Sequence, residues 1–398
     1  MALRAVTFVS LFGLSLVAAG EPAEVDEIRV IAERLFRDTT VVSPTSRLTV
    51  EDIGRINVAT TEDAISLEPS LVVRRRYIGD PNGVIGIRGA NMFQTTRSMV
   101  FADGLPLHYL LQTSFSGAPR WSLIAPDEIA TAEVIYGPFS AEYSGNAMGG
   151  VVNLTTRIPE ERRVHLAGTF FSQDYDSLAT DERFGGHRLF ASYEDRFGDL
   201  GVYLSVNRLR NDGQPQSQFS ALPASPDPDA TAVTGAFAGS DAQGRDVIYY
   251  GDAGAEKAAT DLYKARVHYD VGRWQLRGTV AYEERDRRST DANNFLTDAD
   301  GEPIWHGPVT VDGVRYNLNG GSFEDRRQQR RSLLLGAGVS TPLGNGDWIF
   351  DLYATHFEIL KDDEIRSGRN PHLRNLPSGI QPANEIRTCI SKPSCSAV

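Results

Sequence analysis

The segment from 134 to 157, VIYGPFSAEYSGNAMGGVVNLTTR, is crowded with Gly, Ser and Ala, the residue types from which phosphate loops and catalytic turns are built. A phosphate loop requires G-x-x-x-x-G-K-[ST], or G-x-G-x-x-G directly after a strand, and neither pattern occurs here. A nucleophile elbow requires G-x-S-x-G, which is also absent from the segment. The small residues therefore indicate close packing, in which Gly149 and Gly150 let another backbone approach the strand predicted from Val151 to Thr156.

Two other motifs could bind a metal or form a covalent link. The sequence D-A-D-G at 298 to 301 lacks the spaced oxygen ligands of a calcium loop, so a turn is predicted there. The two cysteines, Cys389 and Cys395, would form a small disulfide loop in an oxidising compartment. A metal site is the alternative, but their spacing is not C-x-x-C and no His lies nearby in sequence. No Ser/His/Asp or metal constellation is found, so neither an enzyme nor a bound cofactor is predicted.

The N-terminus predicts export. Arg4 supplies a positive charge, Ala5 to Val17 form an apolar run, and small residues follow as a cleavage site, which defines a signal peptide at 1–19. A membrane anchor is the alternative, but the run is short of the about 20 residues that a spanning helix needs. The net charge of −12 argues against a nucleic-acid partner, because nucleic-acid affinity depends on basic residues that neutralise phosphates.

The elements that position the small-residue segment form a compact α/β unit from 47 to 159. Thr49 with Asp52, and Thr60 with Asp63, each form a predicted capping box that opens a short helix. Short strands bounded by Gly, Pro or Asp are also predicted. They are Leu71 to Val73, Val84 to Arg88, Ser98 to Ala102, Ala132 to Tyr136 and Val151 to Thr156.

From Val164 the pattern changes to long two-residue alternation, which is typical of strands with two different faces. The alternation is most regular from Arg273 to Arg285, where the apolar face begins at Trp274 and the opposite face is charged. About ten tilted residues at roughly 3.3 Å each would span close to the apolar band of about 25 Å in an outer-membrane barrel. The predicted fold class is therefore mainly β: a small α+β domain followed by an incomplete antiparallel transmembrane β-barrel of about seven strands.

The connections between these strands are predicted to alternate in length. The long ones are 174 to 186, 211 to 260 and 286 to 329, and the short ones are 197 to 200, Gly272 and 342 to 346. Such alternation is typical of outer-membrane barrels, with short periplasmic turns and long extracellular loops, whereas a soluble sandwich has no reason for it. A hairpin is predicted at Val309 to Tyr316. Because a bacterial barrel closes with an even number of strands, the chain is expected to be truncated.

Two segments carry a family resemblance: GVIGIRGANMFQTTRSMVFADGLPL (83 to 107) and EVIYGPFSAEYSGNAMGGVVNLTTR (133 to 157). They resemble the plug motifs of TonB-dependent outer-membrane receptors, of the types I-R-G, D-G-x-P and E-V-x-x-G-P-x-S-x-x-Y-G-x-x-A-x-G-G-V-x-N. Tyr136 departs from the usual Arg or Lys, and Ser144-Gly145 shifts the tyrosine–glycine pair by one. The resemblance implies structural roles in the plug for Arg88, Gly89, Asp103, Gly104, Gly137, Pro138, Gly149 and Gly150.

The resemblance also implies a domain order. After the signal peptide come a periplasmic leader at 20–46 with the TonB box, a plug at 47–159, and the N-terminal part of a barrel at 163–398, where the family has 22 strands. The leader motif is Asp26, Glu27, Ile28, Arg29, Val30 and Ile31, whose alternation suits a strand added to the edge of TonB. A flexible tail with chance alternation is the alternative.

The implied function is energy-coupled uptake of a scarce nutrient, a ferric siderophore, across the outer membrane of a Gram-negative bacterium. The implied partners are TonB in the periplasm, outer-membrane lipid and an extracellular metal chelate. Basic and aromatic groups suit anionic ferric chelates, so the candidate ligand residues are Arg76, Tyr77, Arg97, His108 and Tyr109. Each could instead be a solvated loop residue or face charges on the barrel wall.

Several other functions stay open. The ligand could be cobalamin, haem or an oligosaccharide, or the chain could be a truncated product without transport activity. An adhesin on a barrel scaffold would not need the plug motifs. An outer-membrane enzyme would need a catalytic constellation that is not found in the sequence.

Overall fold

A computed structural model of the 398-residue chain describes residues 7–10, 44–90, 97–108, 118–137, 143, 147–344, 348–368 and 388–389. The motif from Asp26 to Ile31, together with Tyr109, Pro138 and Cys395, lies outside the described residues. Within these ranges, none of the helices combines the length and the apolar character that a bilayer crossing requires. The first strand, β1 (Thr7–Ser10), lies within the segment predicted as signal peptide.

The residues from 44 to 159 form a small domain built on a five-stranded sheet of order β2-β7-β8-β5-β6, beside a separate β3-β4 hairpin. Among its described residues, the helical elements are α1 (Val50–Gly54) and the 3₁₀ turns Thr61–Ile65, Trp121–Leu123 and Pro126–Glu128. Its strands are β2 (Thr45–Thr49), β3 (Leu71–Arg74), β4 (Val84–Ile87), β5 (Ser98–Ala102), β6 (Leu105–Pro106), β7 (Ile129–Tyr136) and β8 (Gly150–Thr156).

Both predicted capping boxes are confirmed. The Thr49 backbone N–H donates to the Asp52 carboxylate at 3.0 Å, and the Thr60 N–H donates to the Asp63 carboxylate at 2.9 Å. Each box satisfies backbone donors that a helix start leaves without partners. The second box opens a 3₁₀ turn, which carries Glu62 into the interior. Burial raises the pKa of the Glu62 carboxyl, and the Arg75 guanidinium, 3.3 Å away, opposes that shift.

The glycines at the start of β8 sit where no side chain fits. A Cβ at Gly149 would lie 2.3 Å from the Ala90 Cβ, and a Cβ at Gly150 would lie 2.4 Å from the Ile87 Cδ1. The same Cβ at Gly150 would lie 3.0 Å from the carbonyl oxygen of Ile135. That oxygen belongs to the backbone and cannot move aside as a side chain can. The close approach expected from the sequence is therefore present, and it brings β4 against the sheet.

The long strands that follow the small domain form, with β1 and β23, one large antiparallel sheet, the wall, of order β1-β9-β10-β11-β16-β17-β21-β22-β23. Seven of its strands are long, as the sequence predicts, and the wall closes on neither edge within the described residues. The long strands are β9 (Arg163–Ser177), β10 (Thr180–Phe197), β11 (Leu200–Gly213), β16 (Glu256–Val271), β17 (Trp274–Ser289), β21 (Glu324–Leu343) and β22 (Trp348–Gly368). The last strand, β23 (Thr388–Cys389), pairs with β22.

The wall has an apolar outer face and a polar inner face. On β17, Trp274 and Val280 are 44% and 47% exposed, whereas Ala281 and Glu283, on the opposite face of the strand, are buried. We call the end with the connections 198–199, 272–273 and 344–347 the turn end of the wall. The opposite end, with the connections 178–179, 214–255 and 290–323, is the loop end.

The prediction of a long connection from 174 to 186 is wrong. β9 and β10 pair without a break up to Ser177 and Thr180, and residues 178 and 179 alone join them. The apolar alternation stops near Phe171, but backbone pairing does not need apolar side chains. Cross-strand ion pairs such as Arg183 to Asp174, at 2.6 Å, continue the hairpin instead. The strict alternation of long and short connections therefore fails at its first member.

The two long loops, 214–255 and 290–323, fold together as an outer unit at the loop end. The sheet β12-β15-β14, with β18 beside β15, and the sheet β13-β19-β20 share one apolar core that includes Tyr250, Leu296 and Phe323. Their strands are β12 (Gln218–Ala221), β13 (Thr231–Ala232), β14 (Phe237–Ser240), β15 (Asp246–Asp252), β18 (Asn293–Asn294), β19 (Gly307–Val311) and β20 (Val314–Leu318).

Two predictions within the outer unit are confirmed. The hairpin predicted at Val309 to Tyr316 is β19-β20, and its turn places Asp312 and Gly313 at positive φ. The D-A-D-G segment is a turn in which the Gly301 N–H donates to the Asp298 carbonyl at 3.2 Å.

Replacing Gly150 by Ala is expected to destabilise the small domain by about 1–3 kcal/mol, because the added methyl group overlaps Ile87 and the Ile135 carbonyl. Gly54→Ala is the matched control, since nothing lies within 4 Å of its Cβ position. Urea unfolding followed by limited proteolysis measures both variants. Equal stability of the two variants would show that the packing at β8 is looser than described.

Candidate functional site

Several charged side chains are buried in pairs at the interface between the small domain and the inner face of the wall. The 3₁₀ turn Pro126–Glu128 points two consecutive carboxylates at the wall. Proline suits the first position of such a turn, because its fixed φ is already helical and its missing N–H would have no partner there. This single turn contacts the neighbouring strands β10, β11 and β16.

Glu128 and Lys264 form the most deeply buried ion pair of this interface. The Lys264 ammonium donates to Glu128 Oε2 at 2.6 Å, and the two side chains are 5% and 0% exposed. The Ser205 hydroxyl donates to the other carboxylate oxygen at 2.8 Å. A buried charge is tolerated when it is paired and its remaining hydrogen-bonding atoms are satisfied. Polar contacts, as well as apolar packing, therefore fix the position of the small domain against the wall.

A second pair lies beside the first. Asp127 accepts a hydrogen bond from Arg188 of β10, and the Arg188 Nε donates to the Asn207 side chain at 2.7 Å. The adjacent turn Trp121–Leu123 extends the contact to β17, where the Ser122 hydroxyl donates to Glu283. Trp121 anchors that turn within the small domain through a 2.8 Å hydrogen bond to the Gly83 carbonyl.

A cluster of arginines lies toward the loop end of this interface. Arg120 of the small domain is buried and lies near Arg285 and Arg330 of the wall. The carboxylates that reach the cluster are Glu283, 3.0 Å from Arg285, and Asp362, which pairs with Arg330. Burial first, and the two neighbouring arginines second, lower the pKa of Arg120 to about 9. Three guanidinium groups meet two carboxylates here, so the cluster carries an excess of positive charge that would favour an anion.

One of the predicted ligand residues, Tyr77, borders the arginine cluster, and Arg76 precedes it in sequence. Arg76 forms a two-pronged contact with Asp80, with both N–O distances at 2.9 Å, and lies 5.6 Å from the centre of the Tyr77 ring. Tyr77 is 4% exposed, and a small cavity joins it to Arg287 and Arg330. Burial raises the pKa of the Tyr77 hydroxyl, which therefore stays protonated.

The other predicted ligand residues are not brought to this cluster. His108 is 9% exposed, and its Nε2 accepts a hydrogen bond from the Val100 N–H at 3.0 Å, which ties the imidazole to β5. Arg97 is exposed, and its carbonyl accepts from the Gly149 N–H at 2.8 Å. Tyr109 lies outside the described residues.

The residues of the predicted plug motif make contacts within the small domain. Asp103, at positive φ beside Gly104, accepts hydrogen bonds from the Thr156 N–H at 2.8 Å and from its hydroxyl at 2.6 Å. Arg88, which precedes Gly89, donates to the Gly137 carbonyl and stacks at 5.5 Å on the Tyr136 ring. These contacts tie β4 and β5 to β7 and β8.

Sequence reasoning did not single out Glu128, Arg188 or Arg120 as interface residues. The alternation in β16 did place Lys264 on the charged face of its strand, which was the available signal. Nothing in one sequence indicated which carboxylate of the small domain would meet it, since the two partners are 136 positions apart.

Comparisons with known proteins give one family and several relatives. Residues 37–151 match the family model described as the TonB-dependent Receptor Plug Domain. The vitamin B12 transporter BtuB of Vibrio vulnificus is 29% identical over 181 residues, which cover 44% of this chain and 28% of that protein.

Solved structures are similar over more of the chain but at low identity. A mutant ferric enterobactin receptor, PfeA of Pseudomonas aeruginosa, matches with a TM-score of 0.46 and 14% identity, over 86% of this chain and 53% of that one. The ferric yersiniabactin uptake receptor FyuA of Yersinia pestis matches with a TM-score of 0.47 and 12% identity, over 83% and 50%. The chain thus spans about half the length of these structures and 28% of the curated relative.

Replacing Lys264 by Met is expected to destabilise the small domain by about 3–5 kcal/mol, because it leaves the Glu128 carboxylate buried without its partner. Adding Glu128→Leu to that variant is expected to restore much of the loss. A double-mutant cycle measured by urea unfolding, with the buried Trp121 of the small domain as the fluorescent reporter, tests this coupling. Arg208→Met is the control, since Arg208 is 54% exposed and pairs with Asp261 on the outer face.

Additive effects of the two substitutions would contradict a direct pair. An unfolding cost for Arg208→Met as large as that for Lys264→Met would mean that any lost charge, rather than the buried contact, destabilises the protein.

Proposed function

We propose, on the premise that this chain belongs to the TonB-dependent receptors whose plug-domain model it matches, that it serves energy-coupled uptake of a scarce nutrient across the outer membrane of a Gram-negative bacterium. The observation that carries the proposal is the small domain seated on the polar inner face of the wall through buried pairs such as Glu128 with Lys264. In the proposed transport cycle, the small domain closes a passage beside the wall, and these contacts break when the ligand passes.

The outer face of the wall supports contact with membrane lipid. Exposed apolar side chains follow one another across neighbouring strands, among them Leu204, Val267, Val280 and Leu352, at 47–58% exposure. Aromatic rings lie at both limits of this band, with Trp274 near the turn end and Tyr263 toward the loop end. Aromatic belts of this kind are characteristic of strands that cross an outer membrane.

The ligand that fits best is an anionic ferric siderophore. The excess of positive charge where Arg120, Arg285 and Arg330 meet would stabilise a negatively charged chelate near the loop end. Tyr77 borders the same cluster, and it and the preceding Arg76 are the ligand contacts that we favour, with the exposed Arg97 as a further candidate. Cobalamin is the second candidate, because the relative at 29% identity is a vitamin B12 transporter.

The energy for transport would come through TonB. The leader motif from Asp26 to Ile31 would add as a strand to the edge of TonB, with main-chain hydrogen bonds providing most of the affinity. Ligand binding at the loop end must then change the exposure of this motif, which is a coupling between two distant sites. The disulfide between Cys389 and Cys395 stays a prediction from the sequence.

Deleting Asp26 to Ile31 is expected to abolish uptake of a radiolabelled ferric siderophore by cells while leaving its binding to the cell surface unchanged. The motif precedes the small domain in sequence and is not among the proposed ligand contacts. A parallel assay with cobalamin compares the two candidate ligands. The deletion of an equally long leader segment, 33 to 38, is the control and should preserve uptake.

Normal uptake by the variant that lacks 26 to 31 would contradict the TonB-box assignment. Binding of cobalamin, but of no ferric siderophore, would contradict the proposed ligand class and leave the transport role standing.

A further inference from the structure

A cavity of ≈ 210 Å³ lies between the small domain and the wall near the turn end. The turn Asp103–Leu105 and the end of β8 form one side, and β16, β17, β21 and β22 form the other. Glycines on the inner face of β21 leave space for the side chains of Leu105 and Tyr353. A Cβ at Gly336 would lie 2.6 Å from Leu105 Cδ1, and one at Gly338 would lie 3.0 Å from the Tyr353 ring.

Arg266 of β16 lines this cavity with donors left over. Its Nη1 donates to the Thr156 hydroxyl and, at 3.1 Å, to the Arg157 carbonyl. Its Nε and Nη2 have no hydrogen-bond partner among the residues that the structure describes, although the side chain is only 11% exposed. The guanidinium lies 4.1 Å from the centre of the Tyr203 ring, which fixes its plane.

Arg277 of β17 repeats this arrangement on the neighbouring strand. Its Nη2 donates to the Tyr353 hydroxyl, and its guanidinium lies 4.9 Å from the centre of that ring. Its Nε is also buried without a partner in the described part of the chain. Arg266 and Arg277 therefore both line one cavity, and each is held on an aromatic ring with N–H groups still available.

The nearby carboxylates are occupied or exposed. Asp103 is 3.8 Å from Arg266, but it accepts two hydrogen bonds from Thr156 of its own domain. Asp270 pairs with Arg196 at 2.7 Å and lies 3.2 Å from His268. Asp351 lines the cavity and is exposed. A buried guanidinium N–H without an acceptor is unfavourable, and the planar fork of arginine matches the two oxygens of a carboxylate or phosphate.

We propose that this cavity binds an oxyanion, a carboxylate or phosphate group of the transported ligand, after the ligand has left the loop end. The arginine cluster around Arg120 lies toward the loop end, so Arg266 and Arg277 form a second anion subsite near the turn end. The identity of the anion as part of the transported ligand depends on the proposed function. The capacity to bind an oxyanion does not depend on it.

The first test is a titration of the purified, detergent-solubilised protein with inorganic phosphate, followed by ¹⁵N NMR of the arginine Nε–H groups. Sodium chloride at matched ionic strength is the reference. Saturable shifts of two resonances are expected with phosphate, one of them absent in Arg277→Met and both retained in Arg208→Met. Arg277→Lys keeps the charge without the fork, and about tenfold weaker binding is expected. Shifts that match those in chloride would overturn the subsite.

The second test separates a free anion from a group on the transported ligand. In cells that express Arg277→Met, surface binding of the ferric siderophore should stay within about twofold of wild type while the uptake rate falls about tenfold. Arg277→Lys provides the same comparison if the Met variant does not fold. Phosphate binding with unchanged uptake would overturn the assignment to the transported ligand. If the wild type binds no ferric siderophore, the proposed ligand class fails, and the phosphate titration still tests the cavity.

Discussion

Opposite charges buried between the small domain and the wall constrain how these two parts of the protein fit together. Glu128 and Lys264 are both removed from water when the protein folds. Each buried charge is tolerated only because the opposite charge lies 2.6 Å away. Such a pair fixes the position of the small domain on the wall more strictly than apolar packing does. A shift of the domain by a few ångströms would leave a buried charge without a partner. It also means that the small domain cannot move without exposing both groups to water or to new partners.

The two halves of the chain meet this constraint by different means. The wall supplies charges through two-residue alternation, which turns every second side chain of β16 and β17 toward the small domain. The small domain supplies them from short 3₁₀ turns held rigid by Trp121 and Pro126. Glycines allow the close approach that brings these surfaces together, as at Gly150 within the small domain and at Gly336 on the wall.

The sequence predicted what depends on local pattern. Alternation gave the seven long strands, and the capping boxes at Thr49 and Thr60 gave the helical starts. The predicted strand boundaries at the turn end differ from those of the structure by only a few residues. The hairpin at 178–179 was missed because its ion-paired strands lack apolar alternation. The partners of Lys264 and Arg188 were missed because contacts between residues 61 to 136 positions apart leave no periodic signal in one chain.

If the chain transports its ligand as proposed, the small domain must leave the wall during transport. A disulfide between Leu105→Cys and Gly336→Cys, in a background with Cys389→Ser and Cys395→Ser, tests this claim most directly, because Leu105 packs against Gly336. Oxidised cells should bind the ferric siderophore normally but transport none, and a reductant should restore uptake. Full-rate uptake by receptor shown to be completely cross-linked would contradict the claim.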